Sequence, residues 1–227
     1  MSLILQIETA TTVCSVAIAR EGKTIACVEV EQRNVHAEKI TLFIEEVLNK
    51  AGKSYADIDA IAVSSGPGSY TGLRIGVSAA KGLCFALDKP LIAVETLAAM
   101  ADGFRQQQSD TSALLCPMID ARRMEVFTSV FDAEGNNIMP TSAEIIDEHS
   151  FEKLLQDHQM IFFGDGAAKC SNVLGTKPDA HIVTDFTNSA SYLSKKAFEK
   201  FEKKDFEDVA YFEPYYLKDF IAGKKAQ

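Results

Sequence analysis

The chain has 227 residues, of which 47% are hydrophobic and 24% charged, with a net charge of -9. This is the balance of an ordinary soluble globular protein, with room for one large domain or two small ones. The charge is uneven: residues 1–105 carry 10 Lys/Arg against 12 Asp/Glu, and residues 106–227 carry 13 against 20, giving -2 and -7. Neither half presents the positive field that draws a protein to nucleic acid, so any RNA involved is expected to be held by another chain. The five cysteines are odd in number, widely spaced and free of C-x-x-C pairs. They read as small hydrophobes of a reduced, cytoplasmic compartment. Glu8 ends the first apolar run too early for a signal peptide or a membrane span.

In chain order the alternation predicts strands at 3–9, 13–19 and 24–30, with Glu21-Gly22-Lys23 as a hairpin connection. A helix is predicted over 36–50, where Ile40, Phe43, Ile44, Val47, Leu48 and Ala51 recur at helical spacing and Gly52 stands where a C-cap belongs. Leu42 falls on the opposite side of that helix, among Glu38, Glu45 and Asn49. A strand at 60–63 then leads into Gly66-Pro67-Gly68-Ser69-Tyr70-Thr71-Gly72-Leu73-Arg74-Ile75-Gly76 and a nearly all-apolar helix ending at Leu87.

A glycine-rich strand-to-helix turn is a natural anion site. This one lacks the Gly-Lys-Ser/Thr end of the triphosphate loop, and the third glycine of the dinucleotide pattern falls on Thr71. The helix beyond it carries two apolar stripes, Leu73, Val77, Ala80, Cys84 and Leu87 on one side and Ile75, Ala79, Leu83 and Ala86 on another. A helix apolar nearly all round is buried nearly all round. Each of Gly72, Gly76 and Gly82 costs about 1 kcal/mol of helix propensity, which close approach of a neighbouring backbone would offset. Two readings stay open: burial within its own domain, or one face on the sheet and the other on a second subunit.

A strand at 91–94 and a helix capped near Thr96 complete the first half. The polar stretch 105–110 is the expected boundary, dividing the chain into 1–105 and 106–227. The order then restarts: strands at 114–119 and 125–131 around Asp120-Ala121-Arg122, a turn at Glu134-Gly135-Asn136-Asn137 and a third strand beyond it. A helix at 151–155, a strand at 160–163 and a helix at 190–201 follow. The repeated order predicts an α/β protein of two mixed sheets, each beginning with antiparallel strands and covered by helices.

None of the four histidines stands in an H-x-x-x-H pair, and His36 has Ile40 one turn on, so no metal site is expected. No G-x-S-x-G elbow is present, and no catalytic residue is assigned. Two turns could bind phosphate: Glu8-Thr9-Ala10-Thr11-Thr12, with Thr9 and Thr11, and Phe163-Gly164-Asp165-Gly166-Ala167, with Gly164 and Gly166, as weak nucleotide contacts. Glu8 and Asp165 would bring negative charge there unless a magnesium ion intervened, and the alternative is two tight turns kept for folding. In Asp120-Ala121-Arg122-Arg123-Met124-Glu125, Asp120 could accept N–H bonds from the turn and pair with Arg122 or Arg123, or the arginines could meet an acidic partner or a phosphate.

Ile7-Glu8-Thr9 before a hairpin, the eleven-residue glycine segment, Lys81-Gly82-Leu83 and Asp120-Ala121-Arg122-Arg123-Met124-Glu125-Val126 together closely resemble the bacterial TsaB (YeaZ) family. The similarity is dense to about residue 130 and thin beyond, and Pro214-Tyr215-Tyr216-Leu217-Lys218 is similar to that family's terminal Pro-x-Tyr-x-Arg pattern with lysine for arginine. The resemblance implies an actin-like (ASKHA) fold of two duplicated subdomains. It implies a non-catalytic, cofactor-free scaffold of the complex that makes N6-threonylcarbamoyladenosine beside the anticodon of tRNA. In that complex a TsaD-type paralogue carries the metal and the catalysis, a TsaE-type ATPase docks on the pair, and tRNA is met only through the assembly. The family's subunit contact, also used in homodimers, maps onto the two helices at 36–50 and 73–87. There it implies Ile40, Phe43, Val47, Leu73, Gly76, Val77, Ala80, Lys81 and Cys84 as contact residues. The competing readings are an actin-like ATP-binding small-molecule kinase and a metalloprotease-like hydrolase.

Overall fold

The computed structural model of the chain describes residues 2–108 and 112–218, so Ser109 and Asp110 of the expected boundary lie outside the described residues. β1 (Leu3–Glu8), β2 (Val13–Arg20) and β3 (Lys23–Glu31) form an antiparallel meander. β4 (Ala60–Gly66) and β5 (Leu91–Glu95) add on parallel beside β1, giving the order β3-β2-β1-β4-β5. All six residues of β1 are buried, a pattern that needs cover on both faces.

One face is covered by α1 (His36–Ala51) and α2 (Tyr70–Leu87). There Leu5, Ile7, Val16, Ile18, Ile61 and Val63 of the sheet meet Ile40, Ile44, Val47, Val77, Ala80 and Cys84 of the helices. The opposite face, with Ile4, Ala60, Ala62, Ile92 and Val94, is closed by Ala99, Leu193 and Ala197. Two of those three come from far along the chain, from the 3-10 turn Ala190–Leu193 and from α6 (Ser194–Glu202). The amphipathic pattern at 190–201 therefore covers the first sheet rather than the second.

The second sheet contains β6 (Leu114–Asp120), β7 (Glu125–Phe131), β8 (Asn137–Ile145), β9 (Met160–Phe163) and β10 (Ala180–Val183), in the order β10-β9-β6-β7-β8. Its first three strands pair antiparallel and its last two run parallel, so the two sheets repeat one topology. α3 (Thr96–Gln107) lies between them: Leu97, Met100, Ala101 and Phe104 pack with Leu115, Ile119, Phe127 and Phe163, while Ala99 joins the cluster under the first sheet. α4 (Glu152–Asp157) and α5 (Ala167–Leu174) close the far face through Leu155, Cys170 and Leu174. The two mixed, helix-covered sheets are the α/β arrangement that the element order predicts, and their repeated topology is the actin-like one that the resemblance implies.

Local differences have physical causes. α2 starts at Tyr70, three residues before Leu73, because the Ser69 hydroxyl accepts the Gly72 N–H at 3.3 Å and caps the helix there. Thr96 lies inside α3 instead of capping it, and its hydroxyl accepts the Gly66 N–H at 3.2 Å, tying α3 to the end of β4. Gly52 caps α1 in the left-handed region at φ 61, as its position predicts.

Candidate functional site

The glycine segment is fitted to the turn between β1 and β2. A Cβ at Gly72 would run into the Thr9 carbonyl, one at Gly76 into the Thr9 hydroxyl, and one at Gly68 would sit 2.5 Å from the Ala10 carbonyl oxygen. The Ser69 N–H donates to that same Ala10 oxygen at 2.7 Å. The close approach inferred from these glycines is thus intramolecular: α2 and its leading loop are pressed onto the hairpin turn. Gly82 is different, with open space where its side chain would be.

The faces of α2 follow. Leu73, Gly76, Val77, Ala80 and Cys84 turn inward and are buried, as are Ile40 and Val47 on α1, while Phe43 is half-buried against the same core. These expected contact residues are therefore largely spent on the chain's own sheet. Lys81 is half-buried, and its Nζ donates to the carbonyl oxygens of Ala210 at 3.1 Å and Phe212 at 3.0 Å. The outward side of α2 carries Ile75, Ser78, Ala79, Gly82 and Ala86, a low apolar ridge, with Phe85 beside it 88% exposed. Leu42 of α1 is 54% exposed. Both stripes are apolar in the sequence, and the position of the sheet decides which of them turns inward.

The two turns proposed for phosphate do face one cavity of about 400 Å³, lined by Thr11, Thr12, Arg33, Ser69, Asp120 and Asp165 among others. Thr9, Gly164 and Gly166 do not line it. The Thr9 hydroxyl is buried against Gly76 without a hydrogen-bond partner. Gly164, at φ +104, lies against the Met118 carbonyl, and Gly166 packs against the backbone of Ile119 and Asp120. His36 is buried with Nε2 3.1 Å from the Val13 carbonyl oxygen. Among the described residues, no group of three His, Cys, Asp or Glu side chains is placed to hold a metal ion.

Asp120 pairs with neither Arg122 nor Arg123 through its carboxylate and their guanidinium groups. It accepts the Arg122 N–H at 2.9 Å and forms an ion pair with Lys169, while its own N–H donates to Asp165 Oδ1 at 3.0 Å. The lysine was hidden from the sequence because α5, which carries it, has few large apolar residues to reveal a helix. Arg122 and Arg123 hold left-handed backbone conformations, φ 73 and 46, at the tip of the β6–β7 turn.

Glu8 lies beneath the hairpin turn and not in the cleft. It is fully buried, and Oε1 accepts the Ala10 N–H at 2.6 Å and the Ser64 hydroxyl at 3.0 Å. Burial pushes its carboxyl up to about 7, against the lowering effect of those hydrogen bonds. The Glu8 carboxylate is therefore held below the cavity, while Asp165 and Asp120 do line it and bring negative charge there.

The family described as "TsaD: tRNA N6-adenosine threonylcarbamoyltransferase" matches residues 28–222. The chain is 33% identical to the Escherichia coli K12 tRNA threonylcarbamoyladenosine biosynthesis protein TsaB, over 98% of this chain and 97% of that protein. The solved structure of YeaZ from Pseudomonas aeruginosa superposes with a TM-score of 0.81 at 26% identity, over 96% of this chain and all of that one. The activator of 2-hydroxyisocaproyl-CoA dehydratase from Clostridium difficile, with bound ADPNP, shares the fold at a TM-score of 0.53 and 11% identity. Full-length similarity at this level, on a duplicated fold of the same shape, places the chain in the TsaB (YeaZ) family, a branch of the wider TsaD family.

Proposed function

We propose that this chain is a non-catalytic scaffold subunit in the formation of threonylcarbamoyladenosine on tRNA, pairing with a TsaD-type catalytic paralogue and serving a TsaE-type ATPase. The observation that carries the reading is the outer ridge of α2, where the small residues Ala79, Gly82 and Ala86 leave the helix backbone nearly bare to a neighbour. Small residues along one helix ridge let a second helix approach closely, and a paralogue of the same fold presents a matching pair. The pathway is that of the TsaB relatives described above. Support for the non-catalytic part comes from the turns that would cradle phosphate: their hydroxyl at Thr9 and their glycines are used for packing inside the chain. In this reading tRNA is met through the assembly, the chain self-associates through the same ridge when alone, and its compartment is the cytoplasm.

The test is reconstitution of tRNA modification from purified components. The expected outcome is full threonylcarbamoyladenosine formation with the chain present and a large loss when it is omitted; undiminished formation without it rejects the reading. A second reading, an ATP-binding kinase, draws on the cavity lined by Thr11, Thr12, Asp120 and Asp165. It requires a calorimetric signal when the isolated chain is titrated with ATP and magnesium.

A further inference from the structure

After α6 the chain crosses from the first half to the second. The Tyr215 N–H donates to the Ser65 carbonyl at 2.7 Å, Leu217 packs with the core of the second sheet, and Lys218 pairs with Glu125. Against this crossing lies a cavity of about 330 Å³, lined by Ser69, Tyr70 and Tyr216 on one side and by Asp120, Arg122 and Phe127 on the other. It adjoins the cavity between the two turns at Ser69 and Asp120, while Thr11, Thr12 and Asp165 line only that neighbour. One wall is aromatic. The Tyr70 and Tyr216 rings have centroids 4.8 Å apart, and the Arg74 guanidinium lies 5.3 Å from the Tyr70 centroid with Nη1 donating to its hydroxyl at 2.9 Å. Tyr216 is 36% exposed, so part of its ring remains accessible from the cavity.

The other wall holds an uncompensated cation. Lys169 neutralises Asp120 and Glu125 neutralises Lys218, whereas among the described residues the Arg122 and Arg123 guanidinium groups have no hydrogen-bond or ion-pair partner. Asp165 beside Asp120 and Glu213 near Tyr216 are the remaining carboxylates, and Arg74 stands on the same side as Glu213. Both turn arginines hold positive φ, a conformation that glycine or asparagine adopts at less cost, and such outliers persist where the residue has a use. α2 begins at the aromatic wall, so the positive end of its dipole lies beside Ser69. A ring that stacks on tyrosine and an anion that bridges a guanidinium are joined in one kind of ligand, a nucleoside monophosphate. The volume suits one ring with one phosphate rather than a triphosphate. A single phosphate responds to charges within a Debye length of about 8 Å, so the net charge of -9 over the whole chain does not exclude it.

We infer that this cavity binds one nucleotide, its base against Tyr216 and its phosphate on Arg122, either as a free monophosphate or as a unit of single-stranded RNA. The site involves neither the ridge of α2 nor the scaffold reading, and it stands or falls separately from both. Calorimetry of the full chain with adenosine monophosphate, adenosine, inorganic phosphate and a short oligoadenylate tests it, beside the variants Arg122→Gly and Tyr216→Ser. The monophosphate is expected to bind at about 1 mM or tighter, with adenosine and phosphate at least about tenfold weaker. Arg122→Gly relieves a strained backbone position, so it should keep or raise the melting temperature while weakening the monophosphate at least about tenfold. Tyr216→Ser, whose folding is checked by the same melting measurement, should weaken it to a similar extent. An oligoadenylate that binds at least about tenfold tighter than the monophosphate identifies RNA as the source, and equal affinity identifies the free nucleotide. Absence of binding by both overturns the inference. So does phosphate binding as tightly as the monophosphate, which would leave the ring without a part. Monophosphate affinity untouched by both substitutions also overturns it, and would assign the nucleotide to the neighbouring cavity of Thr11 and Thr12.

Discussion

Gly76 lies directly against the hydroxyl of Thr9, and a methyl group at position 76 would occupy the space that hydroxyl fills. The contact joins the middle of α2 to the first turn of the chain. It also separates two kinds of glycine on one helix, since Gly82, less than two turns on, faces open space. The expected consequence is a difference in sign. Gly82→Ala should stabilise the chain by up to about 1 kcal/mol through helix propensity alone. Gly76→Ala should lose about 1–3 kcal/mol, because a collision in a packed site outweighs the same propensity gain. Urea denaturation of the two variants beside the parent measures both, and stabilisation by Gly76→Ala would remove the packing explanation.

The ridge makes a separate prediction about association. Gly82→Leu places a large side chain outward, where nothing in the isolated chain opposes it. The monomer should retain its melting temperature within a few degrees, while affinity for the paralogue should fall at least about tenfold, because the helices can no longer approach closely. A bulky residue at Gly76 or Ala80, both buried in the chain's own core, would confuse loss of binding with loss of folding. Analytical ultracentrifugation of Gly82→Leu, alone and mixed with the paralogue, checks both halves.

Much of the fold was legible because strands and helices here carry strong, unambiguous periods. The repeat of antiparallel strands followed by parallel ones can be read from residues 3–9, 13–19 and 24–30 and again after residue 113. The elements that escaped were those with little apolar mass: α5, whose sequence AAKCSNVL is mostly small or polar, and β10, only four residues long. The site was harder for a different reason. Which stripe of α2 meets the sheet depends on the hairpin turn carrying Thr9, more than sixty positions earlier, and no local pattern encodes that contact. Likewise Asp120 finds its cation in Lys169, 49 residues away, and not in its neighbours Arg122 and Arg123.

Glu8 gives the chain a pH dependence of unusual direction. Its carboxyl is raised from 4.5 to about 7 in the folded state, so folding favours the protonated form. The contribution is therefore fully present below about pH 4.5 and is lost as pH rises through about 7. Ionising a buried carboxyl across that interval costs on the order of 3 kcal/mol. Glu8→Gln keeps an oxygen for the Ala10 N–H and the Ser64 hydroxyl but cannot ionise. Its stability should lack the decline between pH 5 and 7 that the parent shows, and should exceed the parent's at pH 8. Identical pH profiles for the two proteins would mean that Glu8 titrates in its ordinary range.

Lys81 supplies the remaining prediction, because its two carbonyl contacts join α2 to the returning segment at Ala210 and Phe212. A charged donor shared between two carbonyls is worth about 1.5–3 kcal/mol when partly shielded from water, and less with the exposure seen here. Lys81→Met keeps an unbranched apolar stem and removes the ammonium that makes these two contacts. Amide exchange should then rise about tenfold at Phe212, whose N–H donates to Asp208, and at Tyr215, whose N–H donates to Ser65 at 2.7 Å. The amides of α2 itself, held by their own helical ladder and by Val77, Ala80 and Cys84 in the core, should keep their protection. Equal acceleration in both segments would show that the helix and the returning chain open as one unit, and no acceleration in either would show that Val209 and Phe212 hold the segment without the lysine.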